Sequence, residues 1–164
     1  MKKGYSLLEV VIYSAILAVI VSLSAASIIS SWRGFQKTKV DGQIAKNGEF
    51  VLELITRDAR LGDNIGLSSV FGVSPGILEL ISGATSTTYS ISGNFIQRKV
   101  GNNSPENVTS SNSKIKNLIF WKESYSSGNV SSNIIKTEFI VESGEGVLLK
   151  QRKFYGSAVL RGTY

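Results

Sequence analysis

GYSLLEVVIYSAILAVIVSLSAASII, residues 4–29, holds a long apolar run close to the start of the chain. From Val10 to Ile29 it carries no charged residue, and its strongly polar groups are the hydroxyls of Ser14, Ser22, Ser24 and Ser27, which can bond back to helix carbonyls. At about 1.5 Å rise per residue, this run spans a hydrocarbon core of roughly 30 Å. A cleaved secretory signal also begins with a basic head and an apolar run. Its core is only about 7–15 residues long, however, and Glu9 falls where that core would start. The sequence therefore predicts a membrane-spanning helix. Lys2 and Lys3 place its N-terminus on the cytoplasmic side, with Arg33 just past the far end, so the chain beyond about residue 33 is expected outside the cytoplasmic membrane.

The helical period continues past the span. Val40, Ile44, Val51, Leu54 and Ile55 fall within an arc of about 100°, while Lys39, Lys46, Glu49, Glu53, Arg57 and Arg60 project on the other side. Glu53 and Arg57 have the spacing of a favourable ion pair one turn apart. One helix is thus predicted from near Tyr5 to near Leu61, stopped by Gly62, Asp63 and Asn64. Its first half is apolar all round. Its second half is amphipathic and needs a surface to pack on.

After Gly66 the period becomes that of strands. GILELISG (76–83) is a short strand, and TTYSISGNFIQRKV (87–100) is a hairpin turning at Gly93 and Asn94, which are expected to supply positive φ. KIKNLIFWKESY (114–125) and NIIKTEFIVES (133–143) follow, and VLLKQRKFYGSAVL (147–160) closes the chain. The polar GNNSPENVTSSNS (101–113) reads as a mobile surface loop. Five or six strands with turn-length connections predict one antiparallel sheet with its apolar face under the amphipathic half of the helix. The fold class is α+β.

Composition narrows function. Among 164 residues there is neither cysteine nor histidine, which removes disulfides, the commonest zinc ligands, the commonest general base and the usual serine-histidine and cysteine nucleophile schemes. No metal, cofactor or catalytic residue is predicted. The formal net charge is +6, from 18 basic and 12 acidic residues. Without Lys2 and Lys3 it is 16 against 12, or +4, a mildly basic balance.

Gly4, Tyr5, Ser6, Leu7, Leu8 and Glu9, followed by the charge-free span, resemble the N-terminal processing motif of type IV pilins and type II secretion pseudopilins. In that motif a glycine precedes an aromatic, usually phenylalanine, and here the aromatic is Tyr5. LELITRDARLGDNI (52–65) and the segments after it resemble the layout of minor pilins and J-type minor pseudopilins. Major pilins often close a C-terminal loop with a disulfide and bend the span with a proline, and here there is no cysteine and the first proline is Pro75.

The resemblance implies that a prepilin peptidase cuts between Gly4 and Tyr5 and methylates the new Tyr5 amine. Residues 1–4 are then a leader, 5–32 a transmembrane and assembly helix, and 33–164 an extracytoplasmic α+β head. It also implies a structural subunit, not an enzyme, that moves from the inner membrane into a periplasmic or cell-surface filament. The implied partners are other pilin or pseudopilin subunits and an inner-membrane platform protein.

Glu9 acquires a role in that reading. A carboxylate at the middle of a membrane helix costs on the order of 2.5–3.5 kcal/mol, and less near the end, where the positive pole of the helix offsets part of it. The resemblance implies that the Glu9 carboxylate of an incoming subunit pairs with the Tyr5 amine of its neighbour, fixing register. The ordinary alternative is an interfacial glutamate that snorkels to water.

Two other classes stay open. From Arg98 onward there are ten basic residues against five acidic, including Lys150, Arg152 and Lys153 beside Phe154 and Tyr155. Such a strand is an anion or DNA contact in a pilus-borne DNA-uptake or adhesion receptor, or, as the favoured reading, a sheet edge protected by charge. A membrane-anchored enzyme is disfavoured by the missing histidine and cysteine.

Overall fold

The computed structural model describes residues 6–127 and 130–160. Helix α1 runs without a break over Leu7–Leu61, 55 residues. The chain divides into two units, Met1–Lys39 and Val40–Tyr164. In the first, every described residue is exposed apart from half-buried Glu9 and Gln36. Ser14 Oγ donates to the Val11 carbonyl at 2.9 Å, and Ser22 and Ser24 donate to the carbonyls one turn back at 2.7 and 2.8 Å. These hydroxyls are satisfied within the helix, as a segment in hydrocarbon requires. This is one helix long and apolar enough to cross a membrane, and none of its apolar window is buried in the chain.

In the second unit α1 buries Val40, Ile44, Gly48, Val51, Ile55 and Ala59, which recur every three or four residues along one face. Val51 and Ile55 are sealed from solvent, and each such side chain contributes roughly 1.5–3 kcal/mol. Leu54, predicted on this face, is half-buried at its margin. The predicted polar side, from Lys39 to Arg60, is exposed. Arg57 turns not to Glu53 but to its neighbour Asp58, with Nε 3.4 Å from Oδ1. The helix stops as predicted. The Gly62 amide bonds the Ala59 carbonyl at 3.3 Å, and the Asp63 amide then reaches the Ile81 carbonyl at 2.7 Å, turning the chain into the sheet.

Two antiparallel sheets follow, not the single sheet expected. β1 (Asn64–Ile65), β2 (Leu78–Ser82), β3 (Thr85–Ser92), β4 (Phe95–Val100) and β5 (Glu106–Asn107) form the first in sequence order. β6 (Ser113–Ser127), β7 (Val130–Ser143) and β8 (Lys150–Val159) form the second. Backbone bonds from the Ile115 amide to the Asn94 carbonyl and from the Gly76 amide to the Leu118 carbonyl stitch them together. Their buried residues and those of α1 make one core. At the β3–β4 hairpin only Gly93 has positive φ, +60°, and Asn94 does not, which is the φ pattern of a II′ turn.

β6 carries the device that makes its burial irregular. Lys116 pairs with Ile140 and Ile119 with Glu138, so Asn117 and Leu118 together face Phe139. Asn117 takes φ +53°, the left-handed position of a bulge that usually falls to glycine and that asparagine tolerates. The extra residue flips the alternation. Ile115 points inward before it, and Leu118 and Phe120 point inward after it.

The loop at 101–113 is pinned rather than free-standing. Glu106 and Asn107 pair with Arg98 and Gln97, the Val108 amide bonds the Ile96 carbonyl at 2.8 Å, and Thr109 and Ser113 are buried. Asn47 of α1 holds the far end. Its Nδ2 lies 3.0 Å from Ser110 Oγ and 3.1 Å from Ser113 Oγ, and its Oδ1 accepts the Ser110 amide at 3.0 Å.

Candidate functional site

Among the residues singled out by sequence, Gly4 and Tyr5 lie outside the described residues. Glu9 sits in the first turn of α1, where a negative charge meets the positive end of the helix. Ser6 precedes the first helical residue and Glu9 is three positions on, the spacing of a capping box, a signal that the composition of the span obscures. Tyr13, one turn further, directs its hydroxyl at Glu9 Oε1 across 3.4 Å. Among the described residues this long bond is the only one the carboxylate accepts. Two carboxylate oxygens can accept about four, so within the described residues Glu9 has acceptor capacity left over.

Lys150, Arg152 and Lys153 are placed along β8 but not on one face. Lys150 turns toward α1 and pairs with Asp41 at 2.6 Å. The Arg152 guanidinium lies 5.3 Å from the centre of the Phe154 ring. Lys153 points to the opposite face of the sheet, where it bridges Glu138 and stands 5.0 Å from the Tyr155 ring. The Glu138 bond, then the Tyr155 hydroxyl, raise its pKa above the usual lysine value. The three cations are thus spent on three intramolecular contacts.

The strongest polar cluster in the second unit was not anticipated. Tyr89 on β3 donates its hydroxyl to Asp58 Oδ2 at 2.6 Å, and Arg98 on β4 reaches the same oxygen through Nε and Nη2, each at 2.8 Å. Tyr89 has no solvent-exposed area, and Asp58 is 9% exposed. Burial, then the bond to Asp58, push the Tyr89 hydroxyl well above the usual phenol range. Burial acts against the Arg98 charge, but the bonds to Asp58 and Tyr89 outweigh it and raise its pKa. Tyr89 and Arg98 face each other across the hairpin, so the clamp ties the end of α1 to both arms at once. The sequence signal was available in the pairing of the two arms, but no local pattern links residues 58 and 98.

Among the described residues no group of three or more carboxylates converges as a metal site would require. In comparisons with known proteins, no family model matches the chain, and neither a curated protein nor a solved structure does.

Proposed function

We propose that this chain is a minor pilin or pseudopilin, a structural subunit that enters or primes a pilus-like filament after removal of residues 1–4. The observation that carries the reading is α1 itself. Its first part is apolar and, among the described residues, almost wholly exposed, and its second part is built into a folded α+β unit. An anchor alone needs only the first, and a soluble domain only the second. A helix that combines them can serve as anchor in the bilayer and later as core in a bundle of like helices.

Glu9 supports the same reading. Cleavage after Gly4 leaves an amine on Tyr5 that is protonated at neutral pH, with an ordinary pKa of about 7.7–8.0. Glu9 stands four residues beyond it, about one helical turn, with acceptor capacity unused within the described residues. In an apolar bundle the carboxylate of one subunit and the amine of the next offset each other's desolvation, and because an unpaired charge there costs several kcal/mol, only the paired register survives. In this proposal the prepilin peptidase, the other subunits and the inner-membrane platform protein are the partners, and the head faces away from the cytoplasm.

Glu9→Leu tests the proposal. The variant is expected in the membrane fraction at wild-type level and absent, or reduced about tenfold or more, in filaments sheared from cells or trapped in the envelope. Incorporation equal to wild type would remove the role assigned to Glu9.

A further inference from the structure

β8 is the last strand of its sheet, with β7 on one side and, among the described residues, no strand on the other. Proteins usually blunt such an edge with charge. Here the charges crowd into the first part of the strand, where each is already engaged within the molecule. From Phe154 to Val159 the edge reads FYGSAV, with no charge and no proline. This uncharged half borders a groove of about 630 Å³ whose other wall is α1. Leu52, Thr56 and Leu61 line its apolar side, and Gly156 lets Leu52 come so close that a β-carbon at 156 would stand 2.8 Å from Leu52 Cδ2.

We infer that the open edge of β8, from Phe154 to Val159, receives an extended acidic segment of a partner polypeptide as a fourth strand, beside α1. Six residues of strand are about 20 Å long, enough for a short linear motif held by main-chain bonds. The charge of the groove selects the partner. α1 and β8 run in the same direction, Asp41 meeting Lys150 and Leu52 meeting Gly156. Arg57 and Arg60 therefore lie toward the Val159 end, with Glu53 one turn back. Arg57 stands 3.4 Å from Asp58, whose other carboxylate oxygen is taken by Arg98. Arg60 is exposed and has no ion-pair partner among the described residues. A strand antiparallel to β8 begins at that end, so its acidic residues belong at its own N-terminal end. The inference is independent of the filament reading, since it uses only the second unit.

The test uses the full chain in detergent micelles and an N-acetylated, C-terminally fluorescein-labelled probe peptide, Asp-Glu-Thr-Val-Thr-Val, followed by fluorescence anisotropy at low salt. Two analogues are compared, one with both acids replaced by lysine and one methylated on every second backbone amide, made in both registers. Saturable binding is expected for the acidic probe, weakened at least about tenfold in the lysine analogue and in one methylated register, and about fivefold by Arg60→Glu, as for a rim charge pair. Equal binding of both methylated registers would show that no strand is added. Absence of binding up to millimolar probe would overturn the inference. So would hydrogen exchange showing β8 amides protected, without probe, in a complex of two chains, since the edge would then belong to a second copy.

Discussion

Three glycines of α1 make opposite predictions from one substitution. Glycine in a helix interior costs about 1 kcal/mol relative to alanine. At Gly42, which is exposed, an added β-carbon has nothing within 4 Å, so Gly42→Ala should stabilise the protein by about 1 kcal/mol; Gly34→Ala should act likewise on its own unit. At Gly48 the β-carbon would fall onto Cζ, Cε1 and Cε2 of Phe154, closer than carbon atoms can approach. That ring is 6% exposed and stacked on Phe139 with centroids 5.6 Å apart, so it moves only by breaking the stack or lifting α1 from the sheet. Overpacking of this kind costs about 1–3 kcal/mol, and with three ring atoms in the way the upper value applies. After the propensity gain, Gly48→Ala should lose about 2 kcal/mol. The two variants then differ by about 3 kcal/mol, or about 1.5 M in urea midpoint at a slope near 2 kcal/mol/M. Urea titration in micelles, read by Trp121 fluorescence in a Trp32→Phe background, measures it. If Gly48→Ala raises the midpoint as Gly42→Ala does, the packing of α1 on β8 described above is incorrect.

The Asp58 clamp gives two further predictions. Asp58→Ala strands a partly buried guanidinium and a buried hydroxyl and should cost about 3 kcal/mol, whereas Tyr89→Phe, which removes one partner, should cost about 1 kcal/mol in the same titration. The Tyr89 pKa is raised on folding, so its contribution is complete below the unfolded value of about 10 and is lost as pH rises beyond it. Stability above pH 10 should therefore fall by up to about 1.4 kcal/mol per pH unit more steeply in wild type than in Tyr89→Phe. Asn47→Ala should release the 101–113 loop, seen as faster hydrogen exchange at the Ser110 amide while exchange at Val51 and Ile55 is unchanged.

The helix was legible because its signals are local. The charge-free run, the buried positions from Val40 to Ile55 and the stop at Gly62 each follow from residues within a turn or two of one another. The strands carrying β-branched and aromatic residues were also legible, and β3 and β4 with their turn at Gly93 were read nearly residue for residue. What escaped depends on contacts distant in sequence. β1 and β5 are two residues each, too short to show any period, and they exist because β2 and β4 offer them a partner. The change in which residues of β6 face inward follows from a bulge at Asn117, which looks like any polar interruption. The loop at 101–113 was read as mobile from its polarity. Its serines and threonine are instead donors and acceptors for Asn47 and Ile96, and polarity alone does not distinguish a solvated hydroxyl from a buried, satisfied one. Glu9 stood out at once, and its bond to Tyr13 was hidden in a spacing of four.

The proposed processing into a filament subunit would be written in the mass of the mature N-terminus, measured on protein purified out of membranes and out of sheared surface or envelope filaments. A processed filament subunit begins at Tyr5 with one added methyl group on its amine. A chain that keeps Met1, or one cut after the apolar span, would contradict it.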